Sequence, residues 1–232
     1  MEINEFIEEL KKINISLNQN QLDQLENYYN LVVEKNKVMN LTGITEKKEF
    51  YLKHFYDSLT INKIIDLNKI ETLCDIGSGA GFPGIVLKIV FPHIKITLVD
   101  SLNKRITFLN EVIEKLNLKN IEAINARAEQ FSNKNEEKYD LVTARAVAQL
   151  QILLECSIKL VKVNKYFIAL KGQKEEINES KVEKELKIKK VEEISFYLPK
   201  EESTRTLIKY LKINKTPKKY PRTYSEIKTK PL

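Results

Sequence analysis

Four of the chain's six glycines, Gly77, Gly79, Gly81 and Gly84, fall within eight residues. Asp75 stands just before them, giving the spacing D-x-G-x-G-x-G, and Asp100 follows 23 residues past Gly77. Glycine lets a backbone turn through positive φ and approach a ligand closely. The residues on either side, ETLCDI and GIVLKIV, carry strand and helix patterns, and Pro83 suits a first helical turn. The loop therefore ends a strand on the side where open α/β sheets bind ligands.

Two ligand chemistries compete for such a loop. Residues 79–84 spell the dinucleotide fingerprint G-x-G-x-x-G, and an acid at Asp100 accepts from ribose hydroxyls in either a nicotinamide dinucleotide or S-adenosylmethionine. Asp75 separates them. A carboxylate beside the loop repels a pyrophosphate but suits a sulfonium and an α-amino group; its plainer alternative is a cap for the next helix. Phe82 offers the ligand an apolar surface. The methyl donor is favoured.

Two later turns aim at the same pocket. In ARAEQF the backbone at Ala128 and the carboxylate of Glu129 suit an adenine edge, though Glu129 equally suits a helix start. Arg145 ends the next strand, where substrate and methyl group should meet; the alternative is an ion pair. Only five arginines, Arg105, Arg127, Arg145, Arg205 and Arg222, stand beside thirty-four lysines. Each is a candidate for a planar contact that lysine cannot make.

The elements that must position these residues follow from periodicity. Helical spacing covers Ile3 to Ile13 and a second stripe from Leu22, after a cap-like stretch at Ser16 to Asn20; shorter helices are expected over 45–53 and 56–65. From Ile70 strands and helices alternate. Strands are expected at 71–76, 95–100, 121–125, 139–144 and 165–171, with helices at 83–91, 103–117 and 147–161. That rhythm implies βαβ crossovers and a mostly parallel sheet with helices on both faces. Strands at 186–198 and 204–213 should add an antiparallel edge hairpin. The expected division is a helical extension over 1–66 packed on the core, a Rossmann-like α/β domain over 67–214 and a basic loop or tail over 215–232.

Charge points to the partner. Net charge is +7, and residues 209–232 hold eight bases against Glu226 alone, which suits a polyanion or a solvated surface. Phosphate or RNA contacts are expected among His54, Lys171, Arg205, Lys218, Lys219 and Arg222. His54 and Asp57 equally suit a mutual helix-surface hydrogen bond, and Lys171 a solvated position. No stretch approaches the ~20 apolar residues of a membrane span, and the acidic N-terminus lacks a secretion signal. A cytoplasmic monomer is expected. Cys74 and Cys156 have no metal-ligand spacing and sit in apolar patterns, so no metal is expected and both read as core thiols.

These motifs resemble the ribosomal RNA small subunit methyltransferase G family, formerly called glucose-inhibited division protein B. The resemblance runs through MNLTGI at 39–44, HFYDSL at 54–59, DIGSGAGFPG at 75–84 and LVDSLNKRITFL at 98–109. It continues through ARAE at 126–129, TARAVAQL at 143–150, ALKG at 169–172, KYPR at 219–222 and a terminal KPL. The chain departs at Ser225 and Ile227, where the family commonly has Gly and Pro. The resemblance implies a Rossmann-like S-adenosylmethionine-dependent methyltransferase fold and methylation of guanine N7 in 16S ribosomal RNA, as free RNA, subunit or assembly intermediate. It also implies cofactor contacts at Gly77, Phe82, Asp100, Ser101, Leu102, Ala128, Glu129 and Arg145.

The residues agree with that chemistry. Enzymes that methylate exocyclic amines often carry Asn/Asp-Pro-Pro-Tyr after the fourth strand, where this chain reads TARAV. Guanine N7 already presents an in-plane lone pair, so alignment and electrostatics replace a general base. The catalytic machinery is then expected to be positional, with Arg145 its candidate. A nicotinamide-dependent oxidoreductase and a non-catalytic RNA-binding module are the rival readings; Asp75 opposes the first and the glycine loop the second.

Overall fold

Asn18 sets the entry of the longest helix. After α1 (Ile3–Lys11), α2 (Gln19–Met39) begins with a reciprocal capping box: Asn18 Oδ1 accepts from Gln21 N, and Gln21 Oε1 from Asn18 N. Two donors that a helix start leaves orphaned are thereby satisfied. The computed structural model describes residues 1–145, 148–172 and 175–232. In place of the two helices expected over 45–53 and 56–65 stands one irregular run. It consists of α3 (Lys47–Phe50), a π turn (Tyr51–Tyr56), α4 (Asp57–Leu59) and a 3-10 turn (Thr60–Lys63). Apolar spacing alone cannot register the extra residue that a π turn inserts.

The strands are β1 (Thr72–Ile76), β2 (Lys95–Asp100), β3 (Ile121–Asn125), β4 (Tyr139–Arg145), β5 (Val161–Lys171), β6 (Ile188–Tyr197) and β7 (Thr204–Lys212). They form one sheet in the order β3-β2-β1-β4-β5-β7-β6. The first five pair in parallel, and β7 runs antiparallel between β5 and β6. β1 and β4 are buried along almost their whole length, as strands covered on both faces must be. Chain order reverses between β1 and β4, so a crevice opens at their carboxyl ends, where doubly wound sheets bind ligands.

Helices α5 (Gly84–Val90), α6 (Asn103–Lys115), α7 (Ala128–Lys134), α8 (Leu150–Ser157) and α9 (Glu179–Leu186) supply the faces. One core joins α5 and α6 to the N-terminal helices, with Phe6, Leu10, Leu25 and Tyr28 in the same apolar cluster as Leu73, Ile85 and Leu98. The other packs Phe131, Leu153, Leu154, Val182 and Leu186 against Val142 and Phe167.

Sequence periodicity missed α7 and α9, both short. It also stretched α8 to 147–161; residues 146 and 147 lie outside those described, and β5 already begins at Val161. The expected loop over 215–232 is corrected as well. α10 (Tyr224–Thr229) starts on a Thr223–Glu226 capping box, and Tyr220, Ile227 and Leu232 are buried in the cores. The T-x-x-E signature was present in the sequence, but the apolar site that receives Ile227 comes from residues elsewhere in the chain.

Candidate functional site

The glycine loop is held open from below. Gly77, Gly79 and Gly81 all have positive φ. Asp75 lies fully buried beneath the loop, its Oδ2 accepting from Gly84 N at 3.0 Å, while Oδ1 has no partner. Burial pushes its carboxyl up to about 7. The structure thus places Asp75 at the start of α5, as a cap. A side chain at Gly84 would displace its neighbours, because a Cβ there would lie 2.2 Å from Leu98 Cδ2 and 2.8 Å from Asp75 Oδ2. Gly81 is closed from above: a Cβ would sit 2.6 Å from the Tyr28 hydroxyl. That hydroxyl donates to Ala80 O at 2.7 Å, tying α2 to the loop.

Asp100 ties the loop to the end of β2. Its Oδ2 accepts from Gly79 N at 2.9 Å and from Arg105 Nη1 at 3.1 Å, and its Oδ1 from Leu102 N at 2.9 Å. A carboxylate offers about four acceptor sites, so these three donors leave room for one more. Asp100 is first a brace for the loop and its neighbouring turn.

Above this frame lies a cavity of about 350 Å³ at the carboxyl ends of β1, β2 and β3, within the roughly 300–1,000 Å³ usual for small-molecule sites. Gly77, Asp100, Ser101, Ala128 and Glu129 line it, together with Arg105, Arg127, Ile152, Leu153, Cys156 and Tyr224. Periodicity and motif reading missed the last six as ligand neighbours. The scarcity of arginine had singled out Arg105 and Arg127; nothing local marks Ile152 or Tyr224. Cys156 is a neutral thiol here, its pKa pushed up to about 12 by burial, with Glu129 and Glu155 adding to it. The cavity fits S-adenosylmethionine. The apolar wall of Val99, Ile152 and Leu153 suits a purine face, the free acceptor site on Asp100 a ribose hydroxyl, and Ala128 and Glu129 a purine edge. Asp75, Gly79, Gly81 and Leu102 belong to the frame rather than the lining.

A second cluster stands beside the loop. The His54 ring stacks on Phe82 at 4.4 Å and 14°, and the Arg145 guanidinium lies 5.0 Å from the centroid of the same Phe82 ring. Arg145 Nη1 donates to Lys53 O and Asp57 Oδ2, both at 3.2 Å, and Nη2 lies 3.3 Å from His54 Nδ1. Arg205 Nε takes the other oxygen of Asp57 at 3.1 Å. His54 and Asp57 thus both bind Arg145 instead of each other. Since Arg145 only donates, His54 Nδ1 accepts, and the ring proton on Nε2 faces Thr42 Oγ1 at 2.7 Å. Burial, and then the Arg145 charge, lower the His54 pKa to about 3, so the ring is neutral.

The remaining candidates for RNA contact are mostly committed within the fold. Lys171 is buried, donating to Ala148 O and pairing with Glu175 at 2.7 Å. Arg222 grips Glu155 through two bonds of 2.7 and 2.6 Å. Lys219 pairs with Glu185 at 2.7 Å. Lys218 is exposed.

Comparison with known proteins bears on this geometry. Residues 21–208 match the family model described as rRNA small subunit methyltransferase G. The chain is 51% identical over 227 residues to the ribosomal RNA small subunit methyltransferase G of Bacillus subtilis, covering 96% of this chain and 95% of that one. With the Lysinibacillus sphaericus protein of the same name it shares 50% over 223 residues, 94% of each. Among solved structures it resembles the N-methyltransferase NodS of Bradyrhizobium japonicum, with TM-score 0.52, 13% identity and 68% and 94% coverage of this chain and that one. It also resembles M. jannaschii TYW2 in complex with AdoMet, with TM-score 0.51, 15% identity and 63% and 71% coverage. These two show the fold. The chain belongs to the rRNA small subunit methyltransferase G family and is an S-adenosylmethionine-dependent methyltransferase.

Proposed function

We propose that this chain methylates N7 of a guanine in 16S ribosomal RNA, acting as a cytoplasmic monomer on the small subunit or an assembly intermediate. The observation that carries the reading is the absence of a free base in the His54–Phe82–Arg145 cluster. Both oxygens of Asp57 are held by arginines, and both nitrogens of His54 are in contact with Arg145 or Thr42. Nothing there is poised to take a proton. That arrangement suits a nucleophile that already carries a lone pair, as guanine N7 does.

When bound, S-adenosylmethionine supplies an activated methyl group. The chain's own contribution is position. Gly77, Asp100, Ser101, Ala128 and Glu129 would hold the nucleoside, and Phe82 and Arg145 would border the place where the guanine enters. Arg145 is held from three sides, so its planar face is fixed before any substrate arrives, the kind of preorganisation that lowers a barrier without proton transfer.

The test uses the product's chemistry. Methylation at N7 puts positive charge on the ring and makes it labile to reduction and amine-induced strand scission. Reverse transcription of small-subunit RNA after that treatment should stop at one guanine in cells with the gene and read through in cells without it. A stop that persists without the gene removes this target.

A further inference from the structure

The C-terminal segment is built onto the cofactor cavity rather than left in solvent. Arg222 reaches both oxygens of Glu155, a carboxylate with no exposed surface. The Tyr220 hydroxyl donates to Glu185 at 2.7 Å. Ile227 is fully buried and packs on Ile152 and Cys156, two residues that also line the cavity. Between these anchors Tyr224 joins the cavity lining, with the Arg127 guanidinium 5.2 Å from its ring centroid.

The same Arg127–Tyr224 pair borders a second, open cleft of about 660 Å³, walled on its other side by Pro221, Arg222 and Lys228. Ring and guanidinium therefore partition an inner chamber from an outer groove. We propose that Tyr224 is a binding residue for S-adenosylmethionine, forming with Arg127 the outer wall against which the adenine ring packs. This rests on the reading that the inner cavity holds the methyl donor. A purine has flat π faces, and a wall of one aromatic ring and one planar cation matches such a face in shape and charge distribution. Ala128 and Glu129 stand in the same lining, where they would meet the polar edge of that base.

The wall accounts for the tail's anchors. Arg222 is the one arginine of residues 209–232, and the fold spends it on Glu155. Holding α10 in place against the cavity is what that pairing achieves.

The test is calorimetric titration of S-adenosylhomocysteine and of adenosine into the full-length chain, its Tyr224→Ala variant and its Tyr224→Phe variant. Tyr224→Ala should weaken both ligands by the same factor, roughly tenfold, the scale of losing one base-to-ring contact. Tyr224→Phe keeps the ring and should bind nearly as the parent does. Should the alanine variant melt early without ligand, Tyr224→Leu carries the comparison, with the same loss expected. A parent chain that fails to bind S-adenosylhomocysteine would overturn the cofactor reading itself. A parent that binds it beside an alanine or leucine variant that binds equally well would overturn the role of Tyr224.

Discussion

Arg145 reaches Asp57 across 88 positions of sequence, its Nη1 3.2 Å from the carboxylate Oδ2. Arg205 holds the second oxygen, so the end of β4, α4 and β7 are locked together at one carboxylate with 7% side-chain exposure. Three elements distant in sequence thereby fix the plane of one guanidinium.

Replacing Arg145 should then damage transfer more than binding. Arg145→Ala is expected to slow single-turnover methyl transfer on the order of 10²-fold, the scale of misplaced reactants. Arg145→Lys should recover little, since a point charge cannot occupy Lys53 O, Asp57 and His54 together. Asp57→Asn should slow the step in the same direction, and Asp57→Ala should also destabilise the fold by about 3–5 kcal/mol by leaving two arginines unpaired. The measurement is rapid-quench kinetics at saturating cofactor and RNA, with urea unfolding for Asp57. Full-rate transfer by Arg145→Ala would remove its positioning role.

Asp100 braces the loop and faces the cavity, so its loss should appear in two assays. Asp100→Ala is expected to weaken S-adenosylhomocysteine by ~1–3 kcal/mol, and to lower stability by a similar amount because Gly79 N and Leu102 N lose their acceptor. Calorimetry and denaturant melts read the two effects separately. Unchanged stability would mean that the brace is dispensable.

Much of this is legible in the sequence itself. The βαβ rhythm, the order of strands along the chain and the edge hairpin follow from alternation and glycine placement, because those patterns are local. The glycine loop and Asp100 were legible for the same reason. What stayed hidden depends on distant partners. Asp75 reads as a cofactor carboxylate on its spacing, yet the loop folds over it and leaves it as a buried cap. Lys171, Lys219 and Arg222 read as phosphate ligands until Glu175, Glu185 and Glu155 are seen beside them. Tyr224 lies in a proline-bounded basic stretch with no periodicity, and only the cavity wall contributed by α8 and the turn between β3 and α7 gives it meaning.

Two titrations should shape stability with opposite signs. The His54 pKa falls from 6.5 to about 3 on folding. As pH drops through 6.5 the unfolded chain takes a proton that the folded ring refuses, and stability is lost down to about 3. His54→Gln should lessen that loss, by up to about 1.4 kcal/mol per pH unit. Asp75 rises from 3.8 to about 7 on folding. Between those values the unfolded carboxyl has ionised while the folded one keeps its proton, so stability falls as pH rises through this window and stays lower above it. Asp75→Asn should remove that decline. Melting curves from pH 4 to 8 on each single variant check both; parallel curves for parent and variants would contradict them.

The tail's cations should divide into two classes. Lys218, Lys228 and Lys230 are exposed, and neutralising each one that touches phosphate should flatten the log-affinity against log-salt slope by ~0.7–0.9. Arg222→Ala should instead cost about 3 kcal/mol of stability by stranding Glu155. Filter binding of small-subunit RNA across a salt series, beside thermal melts, distinguishes the classes. A salt slope unchanged in the triple lysine variant would assign those charges to solvent.

The bond from the Tyr28 hydroxyl to Ala80 has a consequence for the order in which the molecule is made. Synthesis delivers α2 first, with its apolar stripe uncovered, and Tyr28 has no acceptor until 52 further residues have been added. Until then the helices of the amino end have no sheet to rest on. The glycine loop is braced in the other direction as well, because Gly81 turns in a space bounded by the Tyr28 hydroxyl and Ile85. The contact that braces the loop therefore closes only once the growing chain has passed Ala80, joining a helix made early to a turn made later.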